Sequence, residues 1–331
     1  MKRRAFITVL GGASLALSIA ARAQQAERMR RIGVLMTAQE SDPATQGWLA
    51  AFKRRLSELG WVEDINLRFM RRWAGADPER MRANVSEIVG LEPDVILAQN
   101  TPMVATLRKQ TGSVPIVFVQ VSDPVGDGFV ATLAHPDGNM TGFTNTMSSL
   151  GGKWLELLHE AAPAMSHAGF LFNRATSPGG GSYYMEPFKS AAAAFGLTTE
   201  LLEVPDENAI DTVIANFASA NGGGIVAESD SFLLVHRDRL IAAMNRHRLP
   251  AIYSTKSFTS ADGLLSYGVD PEEQWLAAAG YVDRILRGEK PSNLPVQQPT
   301  RFLLAVNLKT AKAIGVAIPS SLMVRADEVI E

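Results

Sequence analysis

The sequence predicts an α/β protein: two doubly wound parallel-sheet lobes joined by a multi-strand hinge. Three observations predict it. Apolar runs of strand length alternate with amphipathic helical stretches along most of the chain. The runs are continuous rather than alternating, as expected for strands buried on both faces of a parallel sheet. They also fall into two sets, each of four or five strands, on either side of Thr141-Gly142-Phe143-Thr144. Right-handed crossovers then wind each set into its own lobe.

In the first set, residues 31–36 form a buried strand. Residues 45–59 form a helix, with Trp48, Leu49, Phe52 and Leu56 on its buried side and Gly60 as its stop. Residues 66–73 mix Leu67, Phe69 and Met70 with arginines, which suits a strand nearer the sheet edge. Pro78 opens a helix that ends near Gly90; a proline costs nothing in the first turn. Residues 93–98 are a strand, Pro102 opens a helix, and residues 115–121 are the next strand.

The second set repeats the scheme. A helix covers residues 153–161. Strands follow at 168–172, 198–204, 225–227 and 251–253, with helices near 183–195, 207–218 and 233–246 between them. Residues 141–144 read as a crossing segment. A helix at 272–286, a proline-rich stretch at 291–299, a strand at 302–307 and a helix at 309–314 remain. These leftovers predict that the chain returns to the first lobe. The expected division is 30–144 plus about 263–290 for the N-terminal lobe, and 145–262 plus about 291–331 for the C-terminal lobe.

The amino terminus reads as an export signal. Lys2, Arg3 and Arg4 precede an apolar stretch from Ile7 to Ala20, and Ala21-Arg22-Ala23 supplies a cleavage site. Arg3-Arg4 with Phe6 resembles the twin-arginine motif. Cleavage after Ala23 predicts a periplasmic protein beginning at Gln24. Removing Lys2, Arg3, Arg4 and Arg22 from the 32 basic residues leaves 28 against 34 acids, a net charge of −6. Nucleic acid is not the expected partner of such a surface. The chain has no cysteine, so no disulfide, thiolate metal site or lipid anchor on cysteine is available.

Ligands of parallel α/β sheets bind beyond the carboxyl ends of the strands. The residues there are Gln39, Asn100, Thr101 and Asp123 in the first lobe, and Asn173, Asp230 and Ser254 in the second. Glu228, Ser229, Ser122 and Thr255 adjoin them. Such short polar side chains suit a small polar or zwitterionic molecule. Asp123 and Asp230 are placed to take an ammonium from opposite lobes, with Thr101 and nearby amides on a carboxylate. Capping is the ordinary alternative for each residue, Asp230 included. Enzyme motifs are scarce. The five histidines have no partner at metal-ligand spacing, and neither a phosphate loop nor a Gly-x-Ser-x-Gly elbow occurs. No catalytic residue, metal or cofactor is expected. Gly179-Gly180-Gly181 and the adjoining Tyr183 and Tyr184 read as a mobile loop.

Several stretches together carry a resemblance. They are Leu294-Pro295-Val296-Gln297-Gln298-Pro299-Thr300, Asn307-Leu308-Lys309-Thr310-Ala311-Lys312-Ala313-Ile314-Gly315 and Arg325-Ala326-Asp327-Glu328-Val329-Ile330. Shorter pieces agree: Asp123-Pro124-Val125, Gly138-Asn139-Met140-Thr141-Gly142 and Ser266-Tyr267-Gly268. The chain resembles the ABC-transporter substrate-binding proteins related to the tryptophan-binding type. The resemblance implies a type I periplasmic binding protein with three crossovers, a ligand in the interlobe cleft and a permease in the inner membrane. It implies no enzyme activity, and ligands that include aromatic amino acids. Thr101, Asp123, Asn173 and Asp230 match cleft-facing positions of the family. Asp64 departs from it where glycine is usual, as do Arg174 and the Ser177–Tyr184 segment. The expected function is solute capture for ABC import by a monomer. A ligand sensor for a signalling partner and an exported hydrolase are the alternatives.

Overall fold

The computed structural model describes residues 28–331. The expected signal segment, residues 1–23, lies outside them. The first sheet contains β1 (Arg30–Met36), β2 (Leu67–Trp73), β3 (Val95–Gln99), β4 (Ile116–Val121) and β5 (Met140–Thr144), in the order β2-β1-β3-β4-β5. All its pairings are parallel. Its connecting helices are α1 (Pro43–Glu58), α2 (Pro78–Gly90) and α3 (Thr101–Arg108). The continuous apolar runs are explained by burial on both faces. Ile32, Val34, Leu97 and Val119 pack with α1, whereas Leu35, Ile96, Ala98 and Phe118 pack with α2 and α3.

Among the described residues the second sheet has seven strands, more than the sequence predicts. They are β6 (His167–Phe172), β7 (Thr198–Glu203), β8 (Gly223–Ala227), β9 (Ala251–Tyr253), β10 (Leu265–Gly268), β11 (Leu303–Asn307) and β12 (Glu328–Ile330). The order is β12-β11-β10-β9-β8-β6-β7, and only the β10–β11 pairing is antiparallel. Its helices are α4 (Leu150–Ala161), α5 (Ser182–Ala194), α6 (Ile210–Ala218), α7 (Ser231–Val235), α8 (Arg237–Arg246) and α9 (Lys256–Thr259). The chain ends with α10 (Pro271–Leu286), α11 (Leu308–Ile314) and α12 (Ser320–Arg325).

The chain crosses between the two sheets three times. It leaves the first sheet after β5. It returns after β10, when α10 packs on the first core with Trp275 fully buried and edge-on to Phe52 at 6.2 Å. Residues 291–297 then run beside β5, with Gln297 N–H donating to Gly142 O and Thr144 N–H to Gln297 O, each at 2.9 Å. Leu294 and Val296 are buried in the first lobe there. The last crossing leads to β11. Two boundaries therefore differ from expectation. Residues 265–268 pair within the second sheet, and residues 291–297 pack on the first. Leu-Ser-Tyr-Gly carries no apolar run, so β10 owes its place to pairing on both edges. The proline-rich stretch bonds to β5 but contributes only an isolated bridge.

Local signals hold where they depend on near neighbours. α1, α2 and α10 each start at an Asp-Pro pair, with Asp42, Asp77 and Asp270 accepting from backbone amides of the first turn. Asp64, where the family favours glycine, takes φ 64°, a left-handed turn that aspartate tolerates. The crossing strand β5 needs Gly142, because a Cβ there would stand 2.0 Å from Phe118 O.

The segment expected to be a mobile loop is instead packed. Pro178–Gly181 make one 3-10 turn that feeds α5. Tyr184 is fully buried against Trp154, with ring centroids 5.1 Å apart.

Candidate functional site

The carboxyl ends of β3, β4, β8 and β9 face one cleft between the lobes. From the first lobe Asn100, Thr101, Gln120 and Ser122 line it. From the second come Thr176, Ser229, Asp230, Ser231, Ser254 and Thr255, and Asn145 joins from the segment after β5. Pro102, Pro178 and Leu234 are the apolar members. Among the described residues no lysine, arginine or aromatic ring lines it. The free space in it is small, about 30 Å³.

Buried amides set the first-lobe floor. Gln99 Oε1 accepts Thr37 N–H at 3.1 Å, and Gln99 Nε2 donates to Gln120 Oε1 at 2.9 Å. Gln120 N–H donates to Gln274 Oε1 at 3.0 Å, and Gln274 Nε2 donates to Thr144 O at 2.9 Å. This chain of amides ties α10 to the strand ends and holds Gln120 at φ 57°. Asn100 at φ 69° makes the corresponding turn after β3.

Several contacts bridge the lobes around the cleft. Tyr184 Oη donates to Ser122 Oγ at 3.0 Å and is also hydrogen-bonded to Thr146 Oγ1. Asn145 accepts from Ser122 Oγ at 3.3 Å and donates to Ser229 Oγ at 3.1 Å. At the mouth, Arg237 Nη1 pairs with Asp42 Oδ2. Burial pushes the Asp42 carboxyl up, but the Thr45 hydroxyl and amide and the Arg237 guanidinium outweigh it and hold it below the usual range.

The predicted residues divide. Asn100, Thr101, Asp230 and Ser254 line the cleft together. Gln39 is exposed and stands at the mouth beside Asp42 and Arg237. Asn173 lies behind the wall. Its amide donates to Val204 O and Pro205 O, and its Oδ1 accepts from Ala175 and Thr176. Asp123 shapes its own turn, with Oδ1 accepting Gly126 N–H at 2.8 Å, and is not among the lining residues.

Asp230 is a cap first. Its Oδ1 accepts from the Phe232 and Leu233 amides and from Thr176 Oγ1; its Oδ2 accepts from Asn173 N–H and Ser177 Oγ. Those donors fill the roughly four lone-pair sites of a carboxylate. The capping alternative therefore accounts for Asp230, and the arrangement leaves no oxygen free for an ammonium.

Sequence reasoning missed Gln120, Asn145, Thr176 and Ser231. A signal existed for Gln120, a polar residue inside an apolar strand. Asn145 gave none, since it is placed by Ser122 and Ser229, both distant in sequence; Thr176 is held locally by Asn173 but faces the cleft only through the distant Asp230.

The comparisons agree with this architecture. A family model described as ABC transporter substrate binding protein matches residues 33–330. A tyrosine-binding protein of Clostridioides difficile (strain R20291) is 22% identical over 290 residues, covering 87% of this chain and 81% of that one. A conserved domain protein from Vibrio cholerae O1 biovar eltor superposes with a TM-score of 0.83 at 26% identity, covering 91% of this chain and 100% of that chain. An ABC domain from Streptococcus pneumonia, solved in complex with L-Trp, gives 0.83 at 24% identity, covering 91% and 99%. With the match running from the first strand to the last over two lobes and their shared cleft, the chain belongs to the ABC transporter substrate binding protein family.

Proposed function

We propose that the protein is the extracytoplasmic solute-binding component of an ABC importer. It captures a small polar organic molecule between its lobes and offers the closed form to a permease in the inner membrane. The observation that carries this reading is the cleft lining: hydrogen-bonding groups from both lobes, neutral except for Asp230, converging from strand ends and joined by contacts across the cleft. Closing such lobes on a ligand converts binding into a change of shape. Residues 1–23 serve as the signal that exports it, with cleavage after Ala23, and the exported protein acts as a monomer.

The relatives named for tyrosine and L-Trp make amino acids the first ligands to test. In this cleft a carboxylate would be held by hydroxyls and amides such as Thr101, Ser254 and Asn100 rather than by a cationic side chain. A bulky ring needs more room than the closed cleft leaves, so its entry requires the lobes to part.

The test has two steps. Mass spectrometry identifies what the purified protein releases on denaturation. Calorimetry then titrates that compound and the twenty amino acids into emptied protein, with solution scattering to follow compaction. Saturable binding with a reduced radius of gyration supports the reading. Absence of any bound or binding small molecule overturns it.

A further inference from the structure

Glu228 follows β8 beside the cleft and is 1% exposed. Its Oε1 is in hydrogen-bonding contact with Ser177 Oγ, and the same Ser177 Oγ lies 2.7 Å from Asp230 Oδ2. A serine hydroxyl carries one hydrogen. It donates to one of the two carboxyls, and its contact with the other needs a hydrogen from the acid. The surrounding donors decide which acid supplies it. Asp230 takes three backbone amides and the Thr176 hydroxyl besides Ser177, all of which favour its charged form. Among the described residues Glu228 has no donor other than Ser177, and its Oε2 is buried without a partner. A buried charge left that way costs far more than a neutral carboxyl.

We infer that Glu228 is an uncharged carboxylic acid and acts as a positioning residue for the cleft. It donates to Ser177 while Ser177 donates to Asp230, and this relay fixes Thr176 and Pro178 in the cleft wall. Both of those residues line the cleft, and Ser177 lies between them. The titratable groups facing Glu228 are Asp230, at the start of α7, and the buried Tyr184 phenol of α5; His236 in turn faces Asp230. Among the described residues no cation pairs with Glu228. Burial first, and the Asp230 charge second, push Glu228 well above the usual carboxylate range.

The consequence is a cleft whose wall responds to pH. Below the raised folded value the relay is complete, and its full contribution to stability is present below the ordinary glutamate value. As pH rises through the raised folded value, Glu228 ionises and two carboxylates compete for one hydrogen. The stability from the relay is then lost, because the unfolded chain gives up that proton at lower pH. Ligand capture is therefore undiminished from mildly acidic to neutral surroundings and weakens in alkaline ones, whichever small molecule fills the cleft.

The experiment needs no ligand. Infrared spectra of protein carrying ¹³C-labelled glutamate are expected to show a protonated carboxyl band at neutral pH that is missing in Glu228→Gln. In wild type, hydrogen exchange at residues 174–177 is expected to speed up in alkaline buffer beyond its intrinsic chemical acceleration. Glu228→Gln, whose amide donates to Ser177 as the acid does, keeps protection and loses that extra dependence. Glu228→Ala and Ser177→Ala exchange fast throughout. No protonated band in wild type, or the same pH response in Glu228→Gln, overturns the inference. The wild-type spectrum decides the protonation state even if a variant fails to fold.

Discussion

Arg237, at the start of α8 in the second lobe, reaches across the mouth of the cleft and pairs with Asp42, the residue that caps α1 in the first. Both side chains are mostly buried, at 14% and 11% exposed. The cap at one helix start is thus also a contact that joins the lobes.

Arg237→Gln is expected to favour the open form. Breaking a largely buried charged pair costs about 2–5 kcal/mol, part of which shows as weaker capture. Solution scattering should find a larger radius of gyration than wild type, and affinity for the identified ligand should drop at least about tenfold. Unchanged compactness and affinity would mean the pair carries no weight in closure.

Closure should also weaken in acid. Asp42 sits below its ordinary value in the folded protein, so its contribution is present above the unfolded value and disappears as pH falls through the folded one. Asp42→Asn should remove that part of the acid response in a pH series of scattering curves.

Tyr184→Phe deletes one hydroxyl and leaves Ser122 and Thr146 short of a partner. Buried groups stranded in this way cost about 1–3 kcal/mol. Chemical denaturation should register that loss with an unchanged m value. A neutral result would place the phenol among groups that water serves equally well.

Asp230→Ala should destabilise the protein by more than an ordinary cap, which is worth about 0.5–2 kcal/mol. The same carboxylate also gathers Asn173, Thr176 and Ser177. Asp123→Asn, by contrast, should bind the ligand like wild type. Weakened binding by Asp123→Asn, at an unchanged melting temperature, would restore that carboxylate to the ligand site.

Asp127 is raised to about 6, by burial and then by the nearby Asp123 charge. Its favourable contribution is present below the unfolded value and is lost as pH rises through about 6. Asp127→Asn should therefore melt higher than wild type above that pH and no higher in acid. Parallel melting curves across the range would argue against the coupling.

Most of the architecture was legible in sequence because strands and helices are written locally. The apolar run of β4 needs only its own residues to signal burial on both faces, and Asp42-Pro43 starts a helix through atoms within one turn. The tail from Leu294 to Ile330 also carried the family resemblance. Tertiary structure alone decided where those elements meet. Only pairing with β9 and β11 makes Leu265–Gly268 a strand. Only the packing of α5 on Trp154 turns a glycine-rich segment with two tyrosines into a wall that reaches Ser122. Only the meeting of β6, β8 and α7 fills the oxygens of Asp230 and sets Ser177 between two acids. A residue's type states which hydrogen bonds it is able to make, whereas the fold fixes which partners stand within 3 Å; donors 50 or more positions away therefore settled the chemistry of this cleft.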